Sequence, residues 1–215
     1  MPRTMSLVVV DYGMGNVGSI VNMMKKLGHA VAVSREPEVI DAADRLVLPG
    51  VGSFDAGMEK LRSFGLVEIL TRKVVAQRTP ILGICLGMQL LGEKSAEGSA
   101  KTPGLGWIAC ESVRFSSEIE RVPHMGWNSV QPMAGPGRAA HWLFAGQVEE
   151  PRFYFVHSYH VVCRDDADVI ATCRYGRPFS AAIAHGHILG VQFHPEKSHK
   201  FGMHLLNNFA THPSC

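Results

Sequence analysis

The first hundred residues alternate short apolar runs with longer amphipathic stretches, and this alternation constrains the fold more than any other feature of the chain. Four runs have the length and composition of strands: residues 7–10, 30–33, 45–48 and 81–84. Between them, apolar residues recur at helical spacing, as from Ile20 to Leu27, and Gly28 ends the first helix. We therefore predict an α/β fold, with an open, mostly parallel sheet and helices on both faces.

The second half of the chain is rich in strands. After Gly104, strand-like segments with turns between them cover residues 107–115, 130–133, 153–157, 169–174 and 179–184. Residues 187–193 are apolar enough for a central strand, and residues 199–209 predict a final helix. The Pro- and Gly-rich residues 132–137 fit a surface loop better than a linker. We expect one domain over residues 1–215, in which the strand-rich half curls around one side of the α/β sheet.

Composition argues against several classes of protein. A net charge of +2 is too small to predict nucleic-acid binding. The apolar runs fall far short of the roughly 20 residues of a membrane span, and a strand begins too early for a signal peptide to precede it. The five cysteines are odd in number and contain no C-x-x-C pair, which argues against a disulfide framework or structural zinc. We expect a cytoplasmic protein with no membrane contact.

Two short motifs suggest a bound group only weakly. His185 and His187 lie two residues apart, but no carboxylate or cysteine is paired with them in sequence, and a turn with two solvated histidines is the simpler interpretation. The glycines at 13 and 15 lack the third glycine of a dinucleotide fingerprint. We expect neither a metal nor a cofactor.

Cys85 lies between Gly83 and Gly87, directly after the predicted strand at residues 81–84. A strand that turns sharply through glycines into a helix is the pattern of a nucleophile elbow, which holds the central residue at the strand end in a strained conformation. The alternative is a buried cysteine beside glycines that serve packing. Cys85 is our candidate nucleophile.

A candidate base follows the predicted central strand. Cysteine catalysis needs a group that takes the thiol proton and returns it to the leaving group, and that group needs a third residue to orient it. His194 and Glu196 are two residues apart, and Pro195 favours an extended backbone at His194. On an extended segment both side chains face the same way. The alternative is a strand-end histidine beside a solvated glutamate.

A glycine-rich turn, Pro-Gly-Val-Gly at residues 49–52, follows another predicted strand. Ligands bind at this carboxyl edge of an open parallel sheet. The backbone N–H groups of Val51 or Gly52, with that of Leu86, can stabilise a developing oxyanion there. The alternative is an ordinary turn before a helix.

Three motifs, in their order and spacing, resemble the class I glutamine amidotransferases: Pro-Gly-Val-Gly at 49–52, Gly-Ile-Cys-Leu-Gly-Met-Gln at 83–89 and Gln-Phe-His-Pro-Glu-Lys-Ser at 192–198. Three further segments resemble the glutaminase subunits of imidazole glycerol phosphate synthases: residues 11–16, 123–128 and 154–159. The resemblance covers nearly the whole chain, and the joint occurrence of these motifs is far more specific than any one of them.

The resemblance implies a Cys-His-Glu triad that hydrolyses L-glutamine to glutamate and ammonia. Cys85 attacks the side-chain amide, His194 protonates the departing ammonia and later activates water, and Glu196 orients His194. The implied oxyanion hole consists of backbone N–H groups from Val51 or Gly52 and from Leu86. Residues at family positions for substrate binding are Gly50, Gln89, Ser158 and Tyr159.

The resemblance also implies a heterodimer with a (β/α)8-barrel cyclase. Ammonia passes through this partner to a ribulosyl phosphate of histidine biosynthesis, and the products are imidazole glycerol phosphate and an aminoimidazole carboxamide ribotide. Because neutral water protonates ammonia and so prevents its attack, a tunnel has a physical reason. Residues at family positions near the interface are Asn16, Met125, Trp127 and Tyr154. The alternative for Trp127 and Tyr154 is packing in the core.

Three positions depart from the usual family sequence. His199 stands where Gln is usual, His160 replaces an aromatic residue, and Gly18 replaces Arg. These variants resemble a paralogous branch found with surface-polysaccharide genes, in which ammonia serves the amidination of a nucleotide sugar. The glutaminase chemistry is the same in both branches, and the acceptor differs.

Two other classes of function stay open from the residues. A cysteine peptidase on the same scaffold would share the catalytic residues, but the matches at Gln89 and at residues 157–159 weigh against it. A protein that only positions a partner would not need the triad, which this chain retains.

Overall fold

The computed structural model describes residues 5–98, 102–116, 121–134, 141–147 and 149–213. Part of the loop predicted over residues 132–137, and Cys215, lie outside these ranges. The strands of the described residues are β1 Leu7–Val10, β2 Val31–Ser34, β3 Arg45–Gly50, β4 Ile81–Cys85, β5 Lys94–Ser95, β6 Cys110–Arg114, β7 His124–Pro132, β8 Arg152–His157, β9 Tyr159–Cys163, β10 Val169–Tyr175, β11 Arg177–His185 and β12 Ile188–Val191.

The strands form a mixed sheet in the order β2-β1-β3-β4-β12-β11-β10-β7-β8. Every neighbouring pair from β2 to β12 is parallel, and the pairs from β12 to β8 are antiparallel. β9 pairs with β11 and with β6, so the β5-β6-β9 group branches from one side. The predicted central strand is confirmed, since β12 lies between β4 and β11.

Helices cover both faces of the parallel half, as the alternation predicted. They are α1 Val17–Lys26, α2 Pro37–Asp41, α3 Phe54–Ser63, α4 Leu66–Thr71, α5 Leu86–Leu90 and α6 His199–Thr211. Alternate strand residues point to opposite faces. Val9 and Val47 pack in one cluster with α1 and α6, whereas Val8 and Leu46 pack in the other with α3 and α4. Burial of these apolar faces is the main favourable term in folding.

Strand register brings three carboxyl ends together. Gly50 at the end of β3 pairs with Cys85 at the end of β4. On the other side of β4, Val191 of β12 pairs with Ile84. The segments that follow β3, β4 and β12 therefore emerge at one edge, and these are the segments that carry the three predicted motifs.

Local details differ from the sequence predictions. Asn and Ser commonly cap helices, but Asn16 before α1 makes no side-chain capping bond, and Ser53 makes none at α3. The carboxylate of Glu97 accepts the N–H of Phe54 at 2.8 Å and takes that role at α3. Helix α4 continues into a π-helical segment, Arg72–Ala76. The short helix α2 and the strands β5 and β9 were not predicted.

Candidate active site

Cys85 lies at a strained strand-to-helix turn. It is the last residue of β4, precedes α5, and has φ 54° and ψ −110°, a region that non-glycine residues rarely occupy. A Cβ on Gly87 would lie 1.9 Å from the carbonyl oxygen of Leu48, and one on Gly83 would lie 2.7 Å from that of Gly87. Both glycines are needed because neighbouring backbone occupies the space of a side chain.

Gly87→Ala should therefore destabilise the chain, by roughly 3 kcal/mol or more, because a fixed backbone carbonyl must move to admit the methyl group. The matched control is Gly18→Ala in α1, where a Cβ meets no atom within 4 Å. That change should stabilise by about 0.5–1 kcal/mol through helix propensity. Urea unfolding of both variants measures the difference. Equal stability of the two would contradict the close approach at the elbow.

His194 and Glu196 form a buried pair. His194 Nδ1 lies 2.8 Å from Glu196 Oε1, and both side chains are 1% exposed. The prediction of an extended segment through both residues is wrong, since Pro195–Lys197 is a 3₁₀ turn and only His194 is extended. The turn is fixed by the Ser198 hydroxyl, which donates to the His194 carbonyl at 2.6 Å. The 3₁₀ turn that begins at Pro195 therefore brings the His194 and Glu196 side chains together.

The environment of His194 favours its charged form. Burial lowers the pKa of the ring, but the sulfur of Cys85 and the carboxylate of Glu196 outweigh burial and raise the pKa of His194 to about 10. Because Glu196 occupies Nδ1, Nε2 is the nitrogen left to serve Cys85. A protonated ring beside the sulfur is the arrangement that activates a cysteine nucleophile.

Gln192 also contacts the sulfur, although the sequence reasoning gave it no role. Its side chain is fully buried, and its Nε2 donates to Cys85 Sγ at 3.7 Å. Its Oε1 accepts from Gln89 Nε2 at 3.1 Å, which fixes the orientation of the amide. Gln89 Nε2 also donates to the Tyr159 carbonyl at 3.1 Å. The position of Gln192 could have indicated a role at the site, because this residue directly follows β12 and so lies at the same sheet edge as His194.

A cavity of about 330 Å³ opens over Cys85. It is lined by Val51, Gly52, Cys85, Leu86, Gln89, Glu97, Pro123, Val156, His157, Ser158, Tyr159 and His194. Most of the predicted site residues meet in this one cavity. Glu196 lies behind His194. Gly50 does not line the cavity, because it packs against Gly87, Leu86 and the Tyr12 hydroxyl.

Similarity to known proteins decides the family of the chain. Residues 8–212 match the family described as Glutamine amidotransferase class-I. The chain belongs to this family. This amidotransferase is 51% identical over 204 residues to a Pseudomonas aeruginosa protein named imidazole glycerol phosphate synthase subunit HisH 2. The alignment covers 94% of this chain and 98% of that one. A Methanococcus maripaludis protein of the same name is 50% identical, with the same coverage.

A solved structure agrees with the fold of this amidotransferase. The structure is of a Thermoplasma acidophilum protein named as a GMP synthase subunit. It superposes on this chain with a TM-score of 0.71 and 20% sequence identity. The match covers 98% of this chain and 94% of that one. The predicted fold class, a mostly parallel α/β sheet of the class I amidotransferase type, is thereby confirmed.

Two further histidines are kept neutral: His157, which lines the cavity, and His124, which lies behind His157 and contacts its ring. Burial lowers the pKa of His157 to about 3 and that of His124 to about 4. His157 Nδ1 donates to the Tyr159 carbonyl at 2.8 Å, and the two rings meet at 3.1 Å. His157 and His194 both line the cavity, and His194 is the one that carries a proton at neutral pH.

The turn at residues 49–52 is held in place by contacts from the segment at residues 11–16. The hydroxyl of Tyr12 donates to the Pro49 carbonyl at 2.6 Å, and burial raises the pKa of Tyr12. A Cβ on Gly15 would lie 2.8 Å from the Pro49 side chain. Val51 and Gly52 themselves are exposed at the cavity rim. The segment at residues 11–16 therefore contacts the turn that carries the predicted oxyanion donors.

An exposed aromatic face adjoins the site. Met125 is 63% exposed and Trp127 is 40% exposed, so neither is a core residue. Trp127 stacks on His199 at 5.4 Å and meets the half-buried Tyr154 edge-on at 6.5 Å. The carbonyl of Tyr154 also accepts the backbone N–H of His194 at 2.9 Å. This face, which we call the Trp127 face, is thus connected to the candidate base through one strand residue.

The departures from the usual family sequence lie in different places. His199 is part of the Trp127 face, as its stacking shows. His160 packs between Phe115 and Phe179, with ring centroids at 4.9 and 5.9 Å. Gly18 is exposed on α1.

No group of three or more metal-ligating side chains is arranged for a metal ion among the residues that the structure describes. His187 Nε2 instead bonds the Val74 carbonyl at 2.6 Å, and His185 bonds Asp168 at 3.0 Å. No helix in the described part of the chain is long and apolar enough to cross a bilayer.

Proposed function

We propose that this amidotransferase hydrolyses the side-chain amide of L-glutamine to glutamate and ammonia through a covalent intermediate on Cys85. The observation that supports this most strongly is the His194–Glu196 pair, buried and bonded at 2.8 Å, beside a cysteine at a strained turn. A cysteine that served packing alone would need neither the strain nor the charged neighbour.

Formation of the intermediate uses the protonated ring of His194. The Cys85 sulfur attacks the amide carbon, and the carbonyl oxygen takes up the negative charge. The N–H of Leu86 and that of Val51 or Gly52 stabilise this oxyanion, and each such donor is typically worth roughly 10²–10³ in rate. His194 Nε2 then gives its proton to the nitrogen, which leaves as ammonia, and a thioester remains on Cys85.

The second half returns the enzyme to its resting state. Neutral His194 takes a proton from water, whose oxygen attacks the thioester carbon at the same oxyanion hole. The carbon–sulfur bond breaks, glutamate leaves, and the free Cys85 sulfur and the protonated ring of His194 are restored. Glu196 accepts from Nδ1 throughout, so Nε2 always faces the reacting atoms.

The lining of the cavity suits an amino acid. Glu97 brings a carboxylate to the wall, and an α-ammonium group would pair with it. Ser158 and Tyr159 line the same cavity and are the family positions for the amino-acid end of glutamine. Gln89 holds Tyr159 and Gln192 through its Nε2, so it acts on the substrate mainly by positioning these neighbours.

The ammonia is proposed to pass to a (β/α)8-barrel cyclase bound at the Trp127 face, in the cytoplasm. The relatives named as synthase subunits support a partner, and an exposed Met125 and Trp127 give an apolar surface for one. Tyr154 connects this surface to His194, where ammonia departs. In the favoured version of this proposal, the acceptor is the ribulosyl phosphate of histidine biosynthesis.

A second acceptor is favoured by one observation. His199, which departs from the usual sequence, stacks on Trp127 and so alters the proposed partner surface itself. This supports a paralogous cyclase-like partner that uses ammonia to amidinate a nucleotide sugar. Asn16, the remaining predicted interface residue, is the last residue of the 11–16 segment and immediately precedes α1.

The experiment measures glutamate release by the purified chain, alone and with the candidate cyclases of its own organism plus the ribulosyl phosphate. We expect little glutamate release by the chain alone, because the backbone N–H groups of residues 50–52 are not oriented towards the oxyanion until the partner binds. With the partner, we expect strong stimulation and the formation of imidazole glycerol phosphate. Stimulation without that product assigns the nucleotide-sugar branch. High activity of the isolated chain would contradict partner-dependent activation, and no glutamate under any condition would contradict the proposed reaction.

A further inference from the structure

Two cysteines outside the active site face each other across β6 and β9. The register pairs Cys110 directly with Cys163. The N–H of Arg164 donates to the Ala109 carbonyl at 2.9 Å, which makes Cys110 and Cys163 a non-hydrogen-bonded pair of the antiparallel ladder. Such pairs have Cα atoms about 4.5 Å apart, within the range of roughly 4.4–6.8 Å that a disulfide spans. Both thiols are free in this structure.

The two thiols are not equivalent. Both cysteines line a cavity of about 330 Å³ at the surface, but Cys110 is only 3% exposed, whereas Cys163 is part-exposed. The Cys110 thiol donates a hydrogen bond to the Cys163 sulfur, which lowers the pKa of Cys163 and raises that of Cys110. Cys163 is therefore the more accessible thiol, which makes it the first to react.

We propose that Cys110 and Cys163 form a redox-active dithiol that a small-molecule disulfide, such as oxidised glutathione, converts to a cross-strand disulfide. The Cys163 thiolate attacks one sulfur of oxidised glutathione, a mixed disulfide forms, and one glutathione leaves and takes up a proton. Cys110 then loses its proton, attacks the Cys163 sulfur and releases the second glutathione. The two protein thiols are oxidised, and one glutathione disulfide is reduced to two thiols.

The bond would link β9, which reaches the active-site cavity, to β6, which packs against the segment after α5. β9 begins at Tyr159, whose carbonyl accepts from Gln89. On the other strand, the Cys110 sulfur lies 2.9 Å from the position of a Cβ on Gly92, two residues after α5. Oxidation would fix β9 to β6 and close a loop of about 50 residues in the unfolded chain, which predicts a rise in Tm of roughly 5–10 °C.

The test uses the chain with Cys85→Ala and Cys215→Ala, so that the nucleophile and the C-terminal thiol do not react. Incubation with oxidised glutathione should remove two hydrogens, by intact mass, and peptide mapping should locate one disulfide between residues 110 and 163. Tm should rise, and dithiothreitol should reverse both changes. Cys173, which is 2% exposed, stays reduced and serves as the internal control.

Single variants in that background test the order of reaction. Cys110→Ser should stop at one glutathione on Cys163, because no thiol remains to displace it. Cys163→Ser should take up no glutathione, because Cys110 is buried. A stable glutathione adduct on the chain that retains both cysteines, or no reaction at all in folded protein with an unchanged melting curve, would overturn the proposal.

Discussion

Cys85→Ala abolishes glutamate release, with a loss of roughly 10⁴–10⁶-fold in the partner-stimulated rate, as when the nucleophile of a covalent mechanism is removed. The substitution keeps a Cβ at the strained position of φ 54°, so the elbow itself is preserved. What disappears is the sulfur that forms the thioester and balances the charge of His194. A coupled glutamate assay with saturating partner measures the effect.

The control for this variant is Cys173→Ala, which removes a buried sulfur from β10, outside the cavity lining. It should lose some stability, as a core truncation does, and keep its specific activity. Melting curves of both variants separate folding from catalysis. If folded Cys85→Ala still released glutamate at the parental rate, Cys85 would not be the nucleophile.

Glu196→Gln is expected to lower kcat by roughly 10²–10⁴-fold, because an amide does not stabilise the charged ring and can hold it in the wrong tautomer. The pH profile should change as well. Burial opposes the charge on His194 while Cys85 and Glu196 raise its pKa to about 10, so removal of one carboxylate lowers that pKa. The alkaline limb of kcat/KM, near pH 10 in the parent, should move to lower pH.

The same shift affects stability, with a definite sign. The folded pKa of His194 is raised above the ordinary value of about 6.5, so its protonation stabilises the fold fully below that pH, and the contribution is lost as pH rises towards 10. Glu149→Gln makes the same chemical change at an exposed carboxylate that pairs with Lys200, and it should move neither profile. An unchanged alkaline limb in Glu196→Gln would show that Glu196 does not act through His194.

Much of the parallel half could be predicted from the sequence, because strands buried on both faces read as continuous apolar runs. Residues 7–10 and 81–84 match β1 and nearly all of β4, and the glycines at 83 and 87 indicated the turn that follows. The antiparallel half was less regular. β9 has only one fully buried residue, Val161, among its five positions, and its pairing with β6 depends on contacts about 50 residues apart.

The sequence indicated which residues meet at the cavity, but it did not indicate the backbone geometry that brings them together. His194 and Glu196 were paired on the assumption of extended backbone, whereas a 3₁₀ turn brings them together. Nothing local in the sequence indicated that turn, because it depends on Ser198 and on the close approach of Gly202 to the Pro195 carbonyl. Gln192 was missed for a related reason. Its bond to Cys85 joins the ends of β12 and β4, which are adjacent only in the folded sheet.

In the proposed mechanism, Cys85 reacts with the side-chain carbonyl carbon of glutamine. The most direct test is labelling by a glutamine analogue that carries a diazo ketone in place of the amide, with and without the stimulating partner, followed by intact mass and peptide mapping. The proposed mechanism predicts one label per chain, on Cys85. Glutamine should compete with the label, and glutamate release should fall in proportion to the labelled fraction. Labelling of another residue, or full activity after complete labelling of Cys85, would contradict it.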